Sequence, residues 1–279
     1  MANETTSSTI SELYTEIVAE ALFVASEQSI MRNLVRNYTI AGGGKSVEVP
    51  IYATVSASAV SEASDLSNTA VNPSSVTITA SEVGIMTTLT DLARDSAGRN
   101  VAGDIGRLFG EAIARKMDSD LSALFTGFST ERAAGAGNEL TIADIFEAVA
   151  DLRTANAPGP YYGVFHPKQI FNVKKSLTNT FVGRDTELSN EAMRSGLVGN
   201  IAGVQIFESS NISVDGSDDS IGGVFSQDAL ALAMMQDLKL ETQRDASLRA
   251  DEIVATAVYG VSEIHDSYGV KLTADTLAN

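Results

Sequence analysis

The 279-residue sequence has no cysteine, no tryptophan, five prolines and two histidines, His166 and His265. Without cysteine there are no disulfides, no thiolate metal ligands and no cysteine nucleophile, which fits assembly in a reducing cytoplasm. Two histidines far apart in sequence leave a zinc site to be built mostly from carboxylates, a poor donor set for that ion. Basic residues are also scarce, with 19 Lys and Arg against 36 Asp and Glu and a formal charge of −17. Affinity for nucleic-acid phosphates comes mainly from Lys and Arg, so tight binding by the chain as a whole is excluded. Such a surface suits holding DNA nearby without adhering to it. The longest apolar run, residues 229–235, is far short of the ~18 residues of a membrane span and reads as a core segment. Residues 1–8 lack the basic start and apolar core of an export signal, so neither membrane insertion nor secretion is expected.

The most informative absence is local. Between Lys45 and Arg94 there is no Lys or Arg, while the segment is rich in Gly, Ser, Thr and Ala. It begins with alternating residues at 47–52, passes through a polar stretch at 56–73 and returns at 76–79, which predicts two strands joined by a wide excursion. A long two-stranded ribbon is marginal alone in water, so it is expected to gain order by lying on another copy of the chain.

Around this ribbon the pattern is helical and then mixed. Thr9 and Glu12 form a capping-box pattern ahead of Ile10, Leu13, Ile17, Ala21 and Val24, which predicts an amphipathic N-terminal helix. Gly42, Gly43 and Gly44 mark a joint. From residue 91 to 126 the apolar stripe Val101, Ile105, Leu108, Ala112, Leu121 and Leu124, widened by Phe109, Ile113 and Phe125, predicts a helix on the order of 50 Å long. Gly98, Gly103, Gly106 and Gly110 predict a kink or irregular start. Thr141 and Asp144 open a capped helix bearing Ile142, Ile145, Phe146, Val149 and Leu152, which residues 157–160 stop. A buried strand at 161–165, a short helix from Pro167, a polar insertion at 178–200 and strands at 204–207, 221–225, 238–242, 253–261 and 270–273 complete the reading.

Four motifs invite a chemical reading, and each has a plainer one. Gly42 to Ser46 resembles the end of a phosphate-binding loop, but the leading Gly would fall on Thr39, and a strand follows where a helix must begin. A hinge is the better reading. His166 before Pro167 fits a strand-to-helix turn, since neither a G-x-S-x-G elbow nor an H-E-x-x-H pair occurs. Asp215, Asp218 and Asp219 lack EF-hand spacing and read as an acidic surface turn. Lys168, Lys174 and Lys175 are too few for a nucleic-acid stripe and fit an acidic neighbour. No catalytic, cofactor or metal residue is therefore assigned.

Written in order, the chain resembles tailed-phage major capsid proteins of the Hong Kong 97-like fold. The telling stretches are residues 84–93 leading into 110–118, then 162–167, 199–206 and 257–260, and the case rests on their order and spacing. The resemblance implies an α+β fold with five parts: an N-terminal arm at 1–46, an extended β loop at 47–90, a peripheral domain with a long spine helix at 91–138, an axial domain at 139–235, and a return to the peripheral domain at 236–279. It implies a coat subunit that self-assembles through pentamers and hexamers into an icosahedral shell around double-stranded DNA, with function residing in surfaces. The founding member crosslinks through a Lys on its extended loop, and here that loop has none, so this chemistry is not expected. An arm helix starting almost at Met1 leads to the expectation of a separate scaffolding protein, beside a portal protein and room for a decoration protein.

The acidic loop residues Glu48, Glu62, Asp65 and Glu82 are expected to attract Arg94, Arg99, Arg107, Arg115 or Lys116 of an adjacent copy. The nearest alternative is an encapsulin-type nanocompartment of the same fold enclosing enzyme cargo. A monomeric hydrolase using Asp215 or Asp218 leaves the arm and loop without a role, and a surface adhesin lacks an export signal.

Overall fold

The computed structural model describes residues 29–41, 44–52, 55, 57, 59–60, 65, 70–96, 101–132, 137–181 and 199–276. The expected N-terminal helix and most of the polar insertion lie outside these residues, as do Glu62 and Arg99.

Two sheets organise the chain. The first has the order β1-β9-β10-β4, from β1 (Arg36–Thr39), β4 (Ser81–Thr90), β9 (Leu230–Asp245) and β10 (Ala250–Glu263). The parallel pairing of β1 with β9 joins residues almost two hundred positions apart, while β9, β10 and β4 run antiparallel. The second sheet has the order β11-β8-β5-β7-β6, from β5 (Tyr161–Phe165), β6 (Asn200–Ile201), β7 (Val204–Glu208), β8 (Asp219–Ser226) and β11 (Gly269–Asp275). A separate two-stranded ribbon pairs β2 (Ser46–Tyr52) with β3 (Pro73–Thr79).

The helical region opens with α1 (Asp91–Ser96) and continues as α2 (Val101–Ala123), which ends in a 3-10 turn, Leu124–Gly127. Both helices fall within the expected helix over 91–126, residues 97–100 between them lie outside the described residues, and Gly103, Gly106 and Gly110 lie within α2. The core face holds Leu121 with Phe109 and Ile113, all expected on the widened stripe, and adds Ala114 and Met117, whereas Leu108 is 61% exposed. This face packs on the first sheet, with Leu238 and Leu240 of β9 and Ile253, Ala255 and Ala257 of β10 in one cluster. A surface helix keeps one stripe of this kind buried and leaves the adjacent line to solvent.

Two further helices, α3 (Ile142–Thr154) and α4 (Pro167–Phe181), pack on the second sheet, bringing Val149, Leu152, Ile170 and Val173 together with Val204, Val224 and Leu272. The start of α3 is fixed as its sequence predicts. The Asp144 carboxylate accepts the Thr141 backbone N–H at 2.8 Å and the Thr141 hydroxyl at 2.8 Å.

An aromatic cluster joins the two sheets, with the Phe125 and Phe225 ring centroids 5.4 Å apart and Phe125 and Phe128 6.2 Å apart. Gly223 makes room for it, because a Cβ there would stand 2.8 Å from the Phe125 ring.

Sheet membership divides the C-terminal residues differently from the expected cut at 235/236. The expected core segment 229–235 is buried over residues 229–233 and lies almost wholly in β9, where Met235 is 42% exposed, so a cut at 235/236 falls inside a strand. Strand β11, placed by the resemblance in a return to the peripheral domain, pairs with β8 over seven residues in the second sheet. Buried apolar residues on β11, Val270, Leu272 and Ala274, complete that sheet's core.

Candidate assembly surface

The structure anchors its flexible elements with a few buried groups. Asp118 lies in the apolar face of α2 and is 0% exposed. Its Oδ1 accepts the Ser29 hydroxyl at 2.8 Å and the Met31 N–H at 3.2 Å, and its Oδ2 accepts the Ile30 N–H at 3.1 Å. Asn211 adds a further side-chain hydrogen bond. The carboxylate therefore clamps residues 29–31 to α2. Burial pushes its pKa up, and the hydrogen bonds oppose that shift.

A second polar anchor joins α2 to the first sheet. Tyr259, 2% exposed, donates its hydroxyl to Asp120 Oδ2 at 2.8 Å, and the same carboxylate meets Lys116 at 2.6 Å. Burial and the adjacent carboxylate hold the phenol protonated far above neutral pH. Replacing Tyr259 by phenylalanine removes one hydrogen bond without opening a cavity, so a loss of about 1 kcal/mol is expected in urea unfolding of the unassembled chain.

The β2–β3 ribbon is rooted rather than free. Val49, Ile78 and Ala80 pack with Ile40 and with Ala231 and Ala233 of β9. The Ala80 N–H closes the root by donating to the Lys45 carbonyl at 2.8 Å. Gly260 on β10 sits directly beneath, where a Cβ would stand 2.8 Å from the Thr79 carbonyl carbon and 3.2 Å from the Ala80 Cα. Further out the ribbon is exposed, with Tyr52 at 66%. Its register pairs Glu48 with Thr77 and Pro50 with Ser75.

The charged residues singled out in the sequence fall into separate places. Glu48 on β2, Asp65 and Glu82 on β4 are exposed, and none forms an ion pair among the described residues. Arg94 lies in α1. Arg107 and Arg115 are exposed on α2; Arg107 lies 3.7 Å from Glu111, whereas Lys116 is engaged by Asp120. Among the described residues, the fold thus brings none of Glu48, Asp65 and Glu82 onto Arg107, Arg115 or Lys116 within one chain. Asp118, Asp120, Tyr259 and Gly260 were not singled out in the sequence. The available signal for Asp118 was a carboxylate inside the line Ala114, Met117, Leu121.

The remaining titratable groups have structural roles. His166 accepts the Lys168 N–H at its Nδ1 at 3.4 Å, at the start of α4, and burial followed by the Lys168 charge lowers its pKa. Asp215 Oδ1 accepts the Ser217 and Asp219 N–H groups at 2.8 and 2.9 Å, and Asp219 Oδ1 accepts the Gly137 N–H at 2.9 Å. The Asp215 bonds form the turn, and the Asp219 bond ties it to Gly137, 82 positions earlier. Burial followed by neighbouring Asp266 raises the Glu263 pKa. Among the described residues no group of three or more His, Cys, Asp or Glu side chains is placed to hold a metal ion. No described helix is long and apolar enough to cross a membrane. Lys174 and Lys175 do meet acids, Glu208 at 3.0 Å and Glu139 at 2.9 Å, within the same chain.

Polar groups here anchor chain segments, and the exposed surface is an extended ribbon, a long helix and a one-sided sheet, an arrangement suited to contact between subunits. The model of the phage capsid protein family matches residues 73–271, more than half of the 279 residues, and the chain belongs to that family. No curated protein matches the sequence. Among solved structures, the capsid of cyanophage P-SCSP1u is similar with a TM-score of 0.71 at 19% identity, covering 88% of each chain. The capsid of Ralstonia phage GP4 is similar with a TM-score of 0.71 at 10% identity, again covering 88% of each chain. A protein of mycobacterium phage Che8 is similar with a TM-score of 0.67 at 22% identity, covering 82% of this chain and 84% of that one. At these identities the likeness defines the fold.

Proposed function

We propose that this chain is a major capsid protein that self-assembles through pentamers and hexamers into an icosahedral shell enclosing phage double-stranded DNA. The observation that carries the reading is the family match over residues 73–271 together with capsid-like folds covering most of the chain. In Hong Kong 97-like terms, residues 1–46 are the arm, 47–90 the extended loop, and 91–138 the peripheral domain with α2 as its spine. Residues 139–235 are the axial domain and 236–279 the return to the peripheral domain, within which the pairing of β11 with β8 supports an axial position for that one strand. The chain works through its surfaces rather than as an enzyme, and its place is the virion capsid, assembled in the host cytoplasm. A scaffolding protein, a portal and a decoration protein are its partners in this reading, and the net charge of −17 supports DNA held without sequence-specific binding.

The test is sedimentation with negative-stain microscopy of the chain expressed alone and with a scaffolding protein. Closed shells, sheets, pentamers or hexamers are expected; a 29.3 kDa monomer under both conditions overturns the reading. Shells loaded with an enzyme instead of DNA would identify the encapsulin-type alternative.

Electrostatics gives a second test. Glu48, Glu62, Asp65 and Glu82 of one copy pair with Arg94, Arg99, Arg107, Arg115 or Lys116 of the next. Each exposed pair contributes about 1 kcal/mol or less, multiplied by repetition over a shell. Neutralising Glu48, Asp65 and Glu82 together to the amides is expected to weaken shells at low salt and flatten their salt dependence. Unchanged dissociation across a salt series would remove this contact from the mechanism.

A further inference from the structure

The hydrogen-bond phase of the strands shows which sheet edges are open. In the first sheet the last β4–β10 pair is Thr90 with Ala250, and one step beyond it the Asp91 N–H donates to the Arg249 carbonyl at 3.0 Å. Antiparallel bonding alternates, and this pairing has no register shift, so odd-numbered residues of β4 bond inward to β10. The N–H and C=O groups of Glu82, Gly84, Met86 and Thr88 then point outward, and no hydrogen bond reaches them among the described residues.

The same argument applies to the ribbon. The bond from Ala80 to Lys45 puts the even-numbered residues of β3 and the odd-numbered residues of β2 inward. Outward on β2 stand Ser46, Glu48, Pro50 and Tyr52, so Pro50 removes a donor from the middle of that edge. Outward on β3 stand Pro73, at the start of the strand and without a donor, and then Ser75 and Thr77, both with intact donors, before Thr79 meets Gly260.

The other edges of the two sheets are short, charged or covered; the part of β9 beyond its pairing with β1 carries Asp237, Lys239, Glu241 and Arg244. β1 has four residues and its Arg36 is paired with Asp228. β6 has two residues, and β11 is bridged by residues 130–132 through Lys271 N–H to Thr130 and Arg132 N–H to Lys271. β4, by contrast, offers ten residues with no Lys, Arg or Pro. A long unprotected edge of this kind is a template for strand addition. β3 cannot fill the β4 edge of its own chain, because it runs into β4 through Ala80 alone without a turn.

We propose that the open edge of β3 in one copy pairs with the open edge of β4 in another, joining ribbon and sheet across the subunit boundary. This rests on the shell reading and names the backbone contact by which the ribbon lies on its neighbour. Pro50 directs the choice, since it interrupts the outward donors in the middle of β2, whereas the proline on the β3 edge, Pro73, stands at the end of its strand.

Hydrogen exchange with residue resolution on full-length chain, assembled and unassembled, tests this. In shells the amides of Ser75 and Thr77 and of Gly84, Met86 and Thr88 are expected to slow by about a hundredfold or more, whereas those of Ile85 and Thr87 are protected in both states. Shells in which either set exchanges as fast as in the free chain overturn the pairing and leave the shell reading intact. Protection of the β4 set without the β3 set does the same, by assigning the edge to a different strand. Failure of the chain to form any assembly, alone or with a scaffolding protein, defeats the shell reading first and the pairing with it.

Discussion

Replacing Asp118 by alanine will lower folding stability by about 3–5 kcal/mol, read as a drop in the urea midpoint of the unassembled chain. The size follows from what the carboxylate leaves behind. The Ser29 hydroxyl and the Ile30 and Met31 N–H groups all aim at it, and Ser29 and Met31 are 2% and 0% exposed. Removing a shared acceptor strands these buried donors together. Asparagine will cost less, because one oxygen can still serve Ser29 and Met31, although its amide nitrogen would face the Ile30 N–H. The pair of variants also separates charge from hydrogen bonding. Burial raises the folded pKa of Asp118 above its unfolded value, so acidification through the folded pKa stabilises the native chain, and that gain is lost as pH rises. Between the folded pKa and the ordinary carboxylate range, wild type will gain stability on acidification relative to Asp118→Asn. Parallel pH profiles for the two proteins would refute the assignment.

The consequence is expected to reach assembly, because residues 29–31 belong to the proposed arm, 1–46, and α2 no longer holds them in the alanine variant, which is therefore expected to form fewer closed shells.

What could be read in advance depended on how local each signal was. Alternation at 47–52 and 76–79 announces the ribbon because β-branched residues recur at a period of two, and Thr141 with Asp144 announces a helix start within one turn. Strand β1 carried no such signal: Arg36, Asn37, Tyr38 and Thr39 are strand only because residues 231–234 lie beside them. The unbroken length of β9 was hidden for a related reason. Gln236 and Asp237 interrupt its apolar pattern at the same place where its register with β10 shifts around Val258. The candidate surface was legible as charge but not as geometry. The lack of Lys and Arg between residues 45 and 94 is visible at once, whereas the role of Pro50 depends on which way its backbone faces, and that depends on the bond from Ala80 to Lys45. Asp118 was obscured because an aspartate on a helix is ordinarily a solvated group, and its donors come from a segment 87–89 positions earlier.

Gly260→Ala will have the other large effect, and it acts on the loop rather than on the fold. The position lies on β10 with extended pairing on one side to Ala233, so the sheet itself tolerates a methyl group. The obstruction comes from backbone, the Thr79 carbonyl and the Ala80 Cα, which cannot swing aside as a flexible side chain would. The ribbon root must lift from the sheet, opening the contacts of Ile78 and Ala80 with Ala231 and Ala233. Overpacking of this kind costs about 1–3 kcal/mol, which a core the size of that between α2 and the first sheet can absorb. The rest of the chain therefore stays folded while the ribbon changes its angle of departure. Because one strand leads into the other through Ala80, that angle sets where β2 and β3 arrive on the next subunit. The expected result is a soluble, cooperatively unfolding chain that gives capsomers or irregular aggregates in place of closed shells by sedimentation and negative-stain microscopy. Normal shells from Gly260→Ala would show that the root geometry does not govern closure.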